Sequence, residues 1–385
     1  MRTLNFLRQW GRKITPDNEN SHLLRIEING DNLLHNIKEF RSKFSDKKLA
    51  AVLKSNAYGH GLKEMALFLD KNSDISFFVV DSFMEAKLLR DIGVRKELII
   101  LGHVLEPLFG QLKRMKNKIL SINSLKQAEI FSQKIDFPLR VHIKIDTGMH
   151  RHGVALNELK KTINVLQSNQ NIKIEGLLTH LADADNVNSD DFTLKQLEVW
   201  QEALKIYKSY FQDGVFHFSA TTGTSYLDKA ESNLIRMGAA LYGFDVTKDK
   251  KLNLKPILSW MAKIVNLKEL KRGESISYNC IFKADHDMKV ALVPCGYFEG
   301  VPKNSSNKGY MYFKNEPLRI LGKVCMNLTA LDVSNVNVDL EDEVEVFSNN
   351  PQRLNSVENY AKICETSIHD ILARLAPTIK RVVKH

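Results

Sequence analysis

Short apolar runs alternate with longer amphipathic stretches from about residue 30 to residue 245, and this pattern constrains the fold more than any other feature. A continuous apolar run is typical of a strand buried on both faces of a parallel sheet. The runs that predict strands are 49–53, 77–80, 98–101, 119–122, 139–145, 172–178 and 215–218. Strand–helix repetition over roughly 200 to 250 residues predicts a (β/α)8 TIM-type barrel in an α/β chain. An open doubly wound sheet is the alternative, but no dinucleotide-binding or P-loop glycine motif supports it.

The sequence pattern changes after a polar, charged segment at residues 245–255. Beyond it, runs rich in β-branched residues alternate with glycine and asparagine turns, a pattern that predicts strands and hairpins. We therefore predict three parts: an N-terminal extension over residues 1–22, a barrel domain over residues 23–250, and a mostly β domain over residues 251–385. Helices at about residues 355–375 are expected to close the last domain.

The composition excludes several classes of function. The formal charge is +10, but the lysines are scattered among acidic residues, so we expect a solvated surface and no nucleic-acid partner. The cysteines form no CxxC pair, which favours reduced thiols and no metal site; they are Cys280, Cys295, Cys325 and Cys364. No segment resembles a signal peptide or is long enough to span a bilayer. We expect a cytoplasmic protein without stable membrane association.

A lysine follows the first apolar run of the predicted barrel. Lys54 ends the run and precedes Asn56, Tyr58 and His60 in a turn that contains two glycines. A lysine that is partly desolvated offers more of its neutral amine, which is a nucleophile towards carbonyl groups. The simpler interpretation of Lys54 alone is a surface lysine at a strand end. The polar groups crowded into one turn favour a functional loop.

Other polar residues follow later strands and are predicted to face the same mouth of the barrel. Singly they have ordinary explanations: Arg151 could form an ion pair, His180 could be a core histidine, and the loop at residues 219–223 could be a turn. Together they suggest a reactive lysine, a phosphate cradle and several cationic donors. This combination indicates a pyridoxal phosphate site.

The segment 51–61, Ala-Val-Leu-Lys-Ser-Asn-Ala-Tyr-Gly-His-Gly, resembles the cofactor-lysine signature of the alanine racemases, which are barrel-fold pyridoxal phosphate enzymes. Further segments resemble other blocks of the family in the family's order. They are residues 144–151, 176–180, 236–243, 277–279, 296–300 and 322–326. The resemblance covers nearly the whole chain after residue 22.

The resemblance implies a two-base mechanism on the amino-acid Cα. Lys54 would hold the cofactor covalently and act as one base, and Tyr278 of the partner subunit would act as the second base on the opposite face. Arg236 would donate a hydrogen bond to the pyridine nitrogen without protonating it. Arg151 would help to place the substrate carboxylate, and Lys144, carbamylated in many members, would orient Arg151.

The resemblance also implies the groups that bind the cofactor phosphate and ring. Tyr58, Thr221, Gly238 and Ala239 would hold the phosphate, and His180 would support the ring and Arg236. These assignments, like those of the two bases, are implied by the family motifs.

The entrance and the departures from the family pattern affect selectivity. Met326 would meet the substrate carboxylate through its N–H, and Tyr297 of the partner subunit would narrow the entrance. Ala220 replaces a frequent asparagine, Asn327 replaces the usual aspartate, and Pro377 lies where some members have a tyrosine that contacts the phosphate.

The resemblance therefore implies an alanine racemase that interconverts L- and D-alanine and supplies D-alanine for peptidoglycan. It also implies a homodimer whose active sites are completed in trans and a small amino acid as substrate. One alternative is a racemase of serine or another small amino acid. A second, from a different class, is a non-catalytic pyridoxal phosphate-binding protein; such proteins lack the β domain.

Overall fold

The computed structural model describes residues 22–384. The N-terminal extension predicted for residues 1–22 therefore lies outside the described residues, except for His22. The described chain forms an eight-stranded parallel barrel surrounded by helices, followed by a mostly β region. This architecture confirms the predicted fold class. Within residues 22–384, no helix combines the length and apolar character that a membrane span requires.

The barrel strands occur in the spatial order β8-β7-β6-β5-β4-β3-β2-β9. Their bounds are Lys48–Val52 (β2), Phe77–Val80 (β3), Glu97–Ile100 (β4), Lys118–Ile122 (β5), Leu139–Lys144 (β6), Ile172–Leu178 (β7), Val215–His217 (β8) and Leu234–Met237 (β9). Hydrogen bonds from the Asn233 N–H to the Phe216 carbonyl and from the Arg236 N–H to the Ser219 carbonyl join the last two strands. The barrel is thus nearly closed.

Alternate side chains of the strands have different environments, as the period of two in a strand requires. Phe77 and Val79 of β3 belong to a small cluster inside the barrel, whereas Phe78 and Val80 belong to the large core under the helices. The inner cluster also contains Ala50, Val52, Ile99, Ile119 and Leu234. Because both faces of each strand are apolar, the strands appear in the sequence as continuous apolar runs.

The described part of the chain places seven helices around the barrel: Gly30–Lys43 (α1), Leu62–Asn72 (α2), Phe83–Asp91 (α3), Phe109–Arg114 (α4), Leu125–Lys134 (α5), Leu159–Gln167 (α6) and Asp191–Lys208 (α7). The spacing of Ser82 and Glu85 in the sequence predicts a capping box, and this box is present at the start of α3. The sequence also suggests Asp31 as the cap of α1, but this is wrong, because Asn29 accepts the hydrogen bond from the Asn32 N–H. Asp31 lies in the first turn, where its charge complements the helix dipole.

The second region is a nine-stranded sheet in the order β11-β14-β17-β16-β15-β18-β10-β1-β19. Its strands are Leu24–Asn29 (β1), Leu258–Lys263 (β10), Asn266–Leu270 (β11), Met288–Val293 (β14), Tyr310–Phe313 (β15), Glu316–Leu321 (β16), Thr329–Asp332 (β17), Glu343–Phe347 (β18) and Lys380–Lys384 (β19). A short hairpin, Ser275–Ile276 (β12) with Phe282–Lys283 (β13), stands apart. Two helices, Val357–Ile363 (α8) and Ile368–Ala373 (α9), complete the region.

Strand β1 belongs to the second sheet, although it lies in the range predicted for the barrel domain, residues 23–250. It pairs antiparallel with β10 and parallel with β19. Ile26 and Ile28 are fully buried there. The alternating pattern of β1 marks a strand, but it does not specify which sheet the strand joins. The limits predicted for the domains otherwise stay predictions.

Candidate active site

A cavity of about 130 Å³ opens at the carboxyl ends of the barrel strands. It is lined by Val52, Lys54, Tyr58, Leu101, Lys144, Arg151, Leu178, Thr179, His180, Ala220, Arg236 and Gly238. Most of the barrel residues singled out in the sequence therefore meet in one place. This mouth is where barrel enzymes place their chemistry.

The turn that follows β2 has an unusual backbone conformation. Ser55, Asn56, Ala57 and Tyr58 all lie in the left-handed region, with φ between 52° and 56°. Each such residue costs about 1–2 kcal/mol relative to the right-handed conformation. Because of this turn, half-buried Lys54 and Tyr58 both reach the cavity.

Hydrogen bonds from other elements stabilise this left-handed turn. The Ser55 N–H donates to the Glu85 carboxylate at 2.6 Å, and the Asn56 side-chain oxygen accepts from the Leu62 N–H at 2.9 Å. The buried Arg381 guanidinium of β19 donates to the Gly59 carbonyl at 2.9 Å. Burial lowers the pKa of Arg381 to about 10, so the side chain stays charged at neutral pH.

Arg236, at the end of β9, is held by a chain of buried side chains. Its Nη1 lies 2.8 Å from His217 Nδ1, and its Nη2 donates to the Thr179 carbonyl at 2.8 Å. Because arginine has no acceptor, His217 Nδ1 must accept and His217 Nε2 must carry the proton. That Nε2–H donates to His142 Nδ1 at 2.9 Å. Burial lowers the pKa of Arg236 to about 10, and the guanidinium remains charged.

The two histidines that form this series of hydrogen bonds from Arg236 are neutral. Burial lowers the pKa of His142 to about 3 and lowers the pKa of His217 well below its ordinary value. Neither residue was predicted from the sequence to belong to the site. One signal was available: His142 precedes Lys144 by two positions on β6, so both side chains face the barrel interior.

Among residues 22–384, the cavity lining has no carboxylate and four cationic side chains: Lys54, Lys144, Arg151 and Arg236. Lys144 is 8% exposed, and burial, followed by the charges of Arg151 and Arg236, lowers its pKa to about 8. His180 adds no charge, because burial and the nearby Arg236 lower its pKa to about 3. Such a lining is built for an anionic ligand.

Two hydroxyl groups converge on Gly238. A Cβ at this glycine would lie 3.4 Å from Tyr58 Oη and 4.0 Å from Thr221 Oγ1. Burial raises the pKa of Tyr58, which therefore keeps its proton as a hydrogen-bond donor. Thr221 Oγ1 also accepts from the Ala240 N–H at 3.2 Å, and Ala239 is buried beside it. Gly238 and the two hydroxyl groups form a cradle in which the O–H groups can donate to phosphate oxygens.

Three predicted residues lie elsewhere in this single chain. Tyr278, Tyr297 and Met326 are 67%, 41% and 54% exposed, and none of them lines the cavity. Hydrogen bonds join their segments, since the Tyr297 N–H donates to the Cys325 carbonyl at 3.0 Å and Ser277 Oγ to the Lys323 carbonyl at 2.6 Å. One chain thus contains a barrel site and, separately, an exposed surface that carries the remaining candidates.

The positions that depart from the family motifs also have defined environments. Ala220 lines the cavity, and Pro377 is exposed and does not. Asn327 donates to the Glu299 carboxylate at 2.6 Å. In the described part of the chain, no cluster of three or more His, Cys, Asp or Glu side chains could hold a metal ion.

Known proteins resemble the chain over nearly its whole length. The family models "Alanine racemase, N-terminal domain" and "Alanine racemase, C-terminal domain" match residues 28–246 and 257–383. The alanine racemase of Borreliella burgdorferi is 32% identical over 370 residues, which cover 92% of this chain and 96% of the relative. That of Leptospira interrogans is 31% identical over 377 residues, covering 93% and 95%.

Solved structures agree with these sequence comparisons. The alanine racemase of Clostridium difficile 630 has a TM-score of 0.86 and 27% identity, and 97% of each chain is covered. A histidine racemase from Leuconostoc mesenteroides has a TM-score of 0.86 and 25% identity, covering 95% of this chain and 99% of that one. On the match of both its regions, the chain belongs to the alanine racemase family.

Proposed function

We propose that this chain interconverts L- and D-alanine with pyridoxal phosphate bound in the barrel cavity. The observation that carries the proposal is a lysine facing a cavity to which the described part of the chain contributes four cationic side chains and no carboxylate. We further propose that the enzyme acts in the cytoplasm and supplies D-alanine for peptidoglycan.

The residues of the cavity fit this cofactor. Lys54 would hold its aldehyde carbon, and the cradle at Gly238, formed with Tyr58, Thr221 and Ala239, would hold its phosphate. Arg236 would donate to the ring nitrogen, and the neutral His180 would support the ring and Arg236. When bound, pyridoxal phosphate supplies an electron sink that makes the Cα proton of an amino acid removable.

Inversion at Cα requires proton transfer on both faces of a planar carbon. Lys54 Nζ would take or return the proton on one face, and Tyr278 of the partner subunit would do so on the other. The 67% exposure of Tyr278 and its absence from the cavity of its own chain support the assignment in trans. We infer that the active form is a homodimer.

The substrate carboxylate would be bound by Arg151 and by the Met326 N–H of the partner subunit. Among residues 22–384 of one chain, no acceptor is bonded to the Met326 N–H, so this donor is available to a ligand. Tyr297 of the partner subunit would narrow the entrance. The exposure of Met326 and Tyr297 supports roles at a surface that a second chain covers.

A racemase of serine or another small amino acid is the second candidate. Ala220 favours it, because a methyl group lines the cavity where a larger amide is frequent. The histidine racemase with a similar fold indicates that the family's architecture serves more than one amino acid. The choice between alanine and serine depends on the side chains at the cavity mouth.

The test is a panel of L-amino acids incubated with the cofactor-loaded protein, followed by chiral analysis of the products. We expect D-alanine to form fastest. Lys54→Ala and Tyr278→Phe should each reduce racemisation by at least about a hundredfold, since removing an acid–base group costs a factor of roughly 10²–10⁴ in rate. Tyr278→Phe should keep the visible absorption of bound cofactor.

Tyr310→Phe, on strand β15, is the matched control and should retain activity. Faster racemisation of serine than of alanine would favour the second candidate. Bound cofactor without racemisation of any amino acid would contradict the enzymatic assignment and favour a binding protein.

A further inference from the structure

We propose that Glu299 and Asn327 act as a pair of positioning residues that fix the two loops carrying Tyr297 and Met326. We call residues 296–300 the first entrance loop and residues 325–328 the second entrance loop. The inference rests on the proposed function, in which these loops complete the active site of the partner subunit.

The two entrance loops are in direct main-chain contact. The N–H groups of Tyr297 and Phe298 donate to the carbonyls of Cys325 and Met326, each at 3.0 Å. A Cβ at Gly296 would lie 2.1 Å from the Cys325 carbonyl oxygen and 2.5 Å from the Met326 carbonyl oxygen. Only glycine permits this approach, so the first loop determines where the main chain at Met326 lies.

The buried side chain of Glu299 forms hydrogen bonds with both entrance loops. It is 8% exposed, and its Oε2 accepts from the Gly296 N–H at 2.8 Å while its Oε1 accepts from Asn327 Nδ2 at 2.6 Å. Within residues 22–384, no lysine, arginine or histidine forms a salt bridge with Glu299. A buried carboxylate is tolerated only when it is well hydrogen-bonded, so the amide of Asn327 is its essential side-chain donor.

The chemistry of the pair explains why asparagine occupies position 327. An aspartate there would present a second carboxylate to Glu299 and would have no N–H to donate. The amide therefore acts together with Glu299. Because Asn327 follows Met326 directly, its bond to Glu299 restrains the main chain next to Met326, whose N–H would be offered to the substrate carboxylate.

The test is a reciprocal exchange in the cofactor-loaded enzyme, with kcat and KM measured for L-alanine. Asn327→Asp should raise KM by about tenfold or more with kcat changed less than about threefold, because a binding contact is displaced. Glu299→Gln should have a smaller effect, since two amides can still form one neutral hydrogen bond. The double variant E299Q/N327D restores an amide–carboxylate bond and should return KM to within about threefold of wild type.

Amide hydrogen exchange gives a readout that does not depend on activity. The N–H groups of Gly296, Tyr297 and Phe298 should exchange at least about tenfold faster in Asn327→Asp, and the double variant should restore their protection. Asn337→Asp, an exposed asparagine of the same region, should change neither KM nor exchange.

The outcomes separate this inference from the proposed function. A wild-type protein that racemises nothing overturns the proposed function, while the exchange rates still decide whether the pair holds the loops. If the wild type is active but Asn327→Asp changes neither KM nor the amide exchange rates, the proposed role of the Glu299–Asn327 pair is overturned. A double variant that is as impaired as Asn327→Asp also overturns it, because independent residues would not rescue each other.

Discussion

Lys144 is a buried cation whose neighbours in the cavity are also cations. Its pKa of about 8 gives a substantial neutral fraction near neutral pH, and a neutral amine can react with carbon dioxide. The carbamate would be an anion beside Arg151 and Arg236, which replaces repulsion by attraction. We therefore predict that Lys144 is carbamylated.

Carbamylation is measurable by 13C NMR in 13C-labelled bicarbonate at about pH 8. We expect a carbamate resonance in the wild type and in Lys118→Gln, whose parent lysine also has its pKa lowered by burial but does not line the cavity. The resonance should be lost in Lys144→Gln. A wild-type spectrum without it would refute the prediction.

The buried histidines predict sensitivity to acid. Burial lowers the pKa of His60, His142 and His180 to about 3 from an ordinary value of 6.5. Between pH 6.5 and about 3 the unfolded chain therefore binds protons that the native chain does not bind. The free energy of unfolding must then fall as the pH falls through this window, by up to about 1.4 kcal/mol per pH unit for each histidine.

Urea unfolding between pH 4 and 7 tests this dependence. His142→Gln, whose side-chain oxygen can still accept from His217 Nε2, should reduce the slope of unfolding free energy against pH by about one proton. His103→Gln removes an exposed histidine and should leave the slope unchanged. Equal slopes in His142→Gln and the wild type would exclude His142 as a contributor.

At the scale of elements, the contact between the lysine turn and helix α9 determines which residue can follow Tyr58. Gly59 has φ of 81°, and a Cβ there would lie 2.0 Å from the Leu372 carbonyl oxygen. Gly93 has a similar φ of 89°, and no atom of residues 22–384 lies within 4 Å of such a Cβ. Gly93→Ala should cost about 1–2 kcal/mol from backbone strain alone. Gly59→Ala should cost about 1–3 kcal/mol more, because α9 must move.

Denaturant unfolding of both alanine variants measures this difference. The clash between Gly59→Ala and α9 should also displace the lysine turn. Racemisation should then fall, since Tyr58 and Lys54 lie on this turn. Equal destabilisation by the two substitutions would mean that α9 accommodates the methyl group without cost.

Elements whose conformation depends on their own residues could be predicted from the sequence. Seven of the eight barrel strands, β2 to β8, lie within one or two residues of the apolar runs that predict them, because buried strands need apolar side chains on both faces. The left-handed turn after Lys54 could not be predicted. Four non-glycine residues adopt it against their intrinsic preference, and contacts from Glu85 and from Arg381, distant in sequence, compensate.

The site residues that belong to a sequence motif could be predicted. Contacts that form only when distant strands meet in the closed barrel could not. Lys54, Arg151 and Arg236 line one cavity, as expected of residues near the carboxyl ends of barrel strands. The bond between His142 and His217 joins residues 75 positions apart, and the spacing of His142 from Lys144 was the one sequence signal for this pair. The role of Asn327 likewise depends on the spatial neighbour Glu299.

For the whole molecule, an active site shared between two chains predicts complementation. Lys54→Ala retains Tyr278, and Tyr278→Phe retains Lys54, so a mixed dimer contains one site with both bases. After random exchange of subunits, about half of the dimers should be mixed, and activity should reach about a quarter of wild type. Each variant alone should be inactive.

Racemase assays after mixing and refolding of equal amounts measure this recovery. A mixture of Lys54→Ala with Lys54→Ala/Tyr278→Phe is the control and should remain inactive. A mixture of the two single variants that also stays inactive would place both bases in one chain.

The position of β1 also affects how the protein is made. Its hydrogen-bonding neighbours are β10 and β19, which begin only at Leu258 and Lys380. Because a ribosome releases the chain from its N-terminus, the barrel can form while β1 still lacks both neighbours. Ile26 and Ile28 must remain uncovered until β10 and β19 have been synthesised. A strand made before the barrel thus reaches its native place after it.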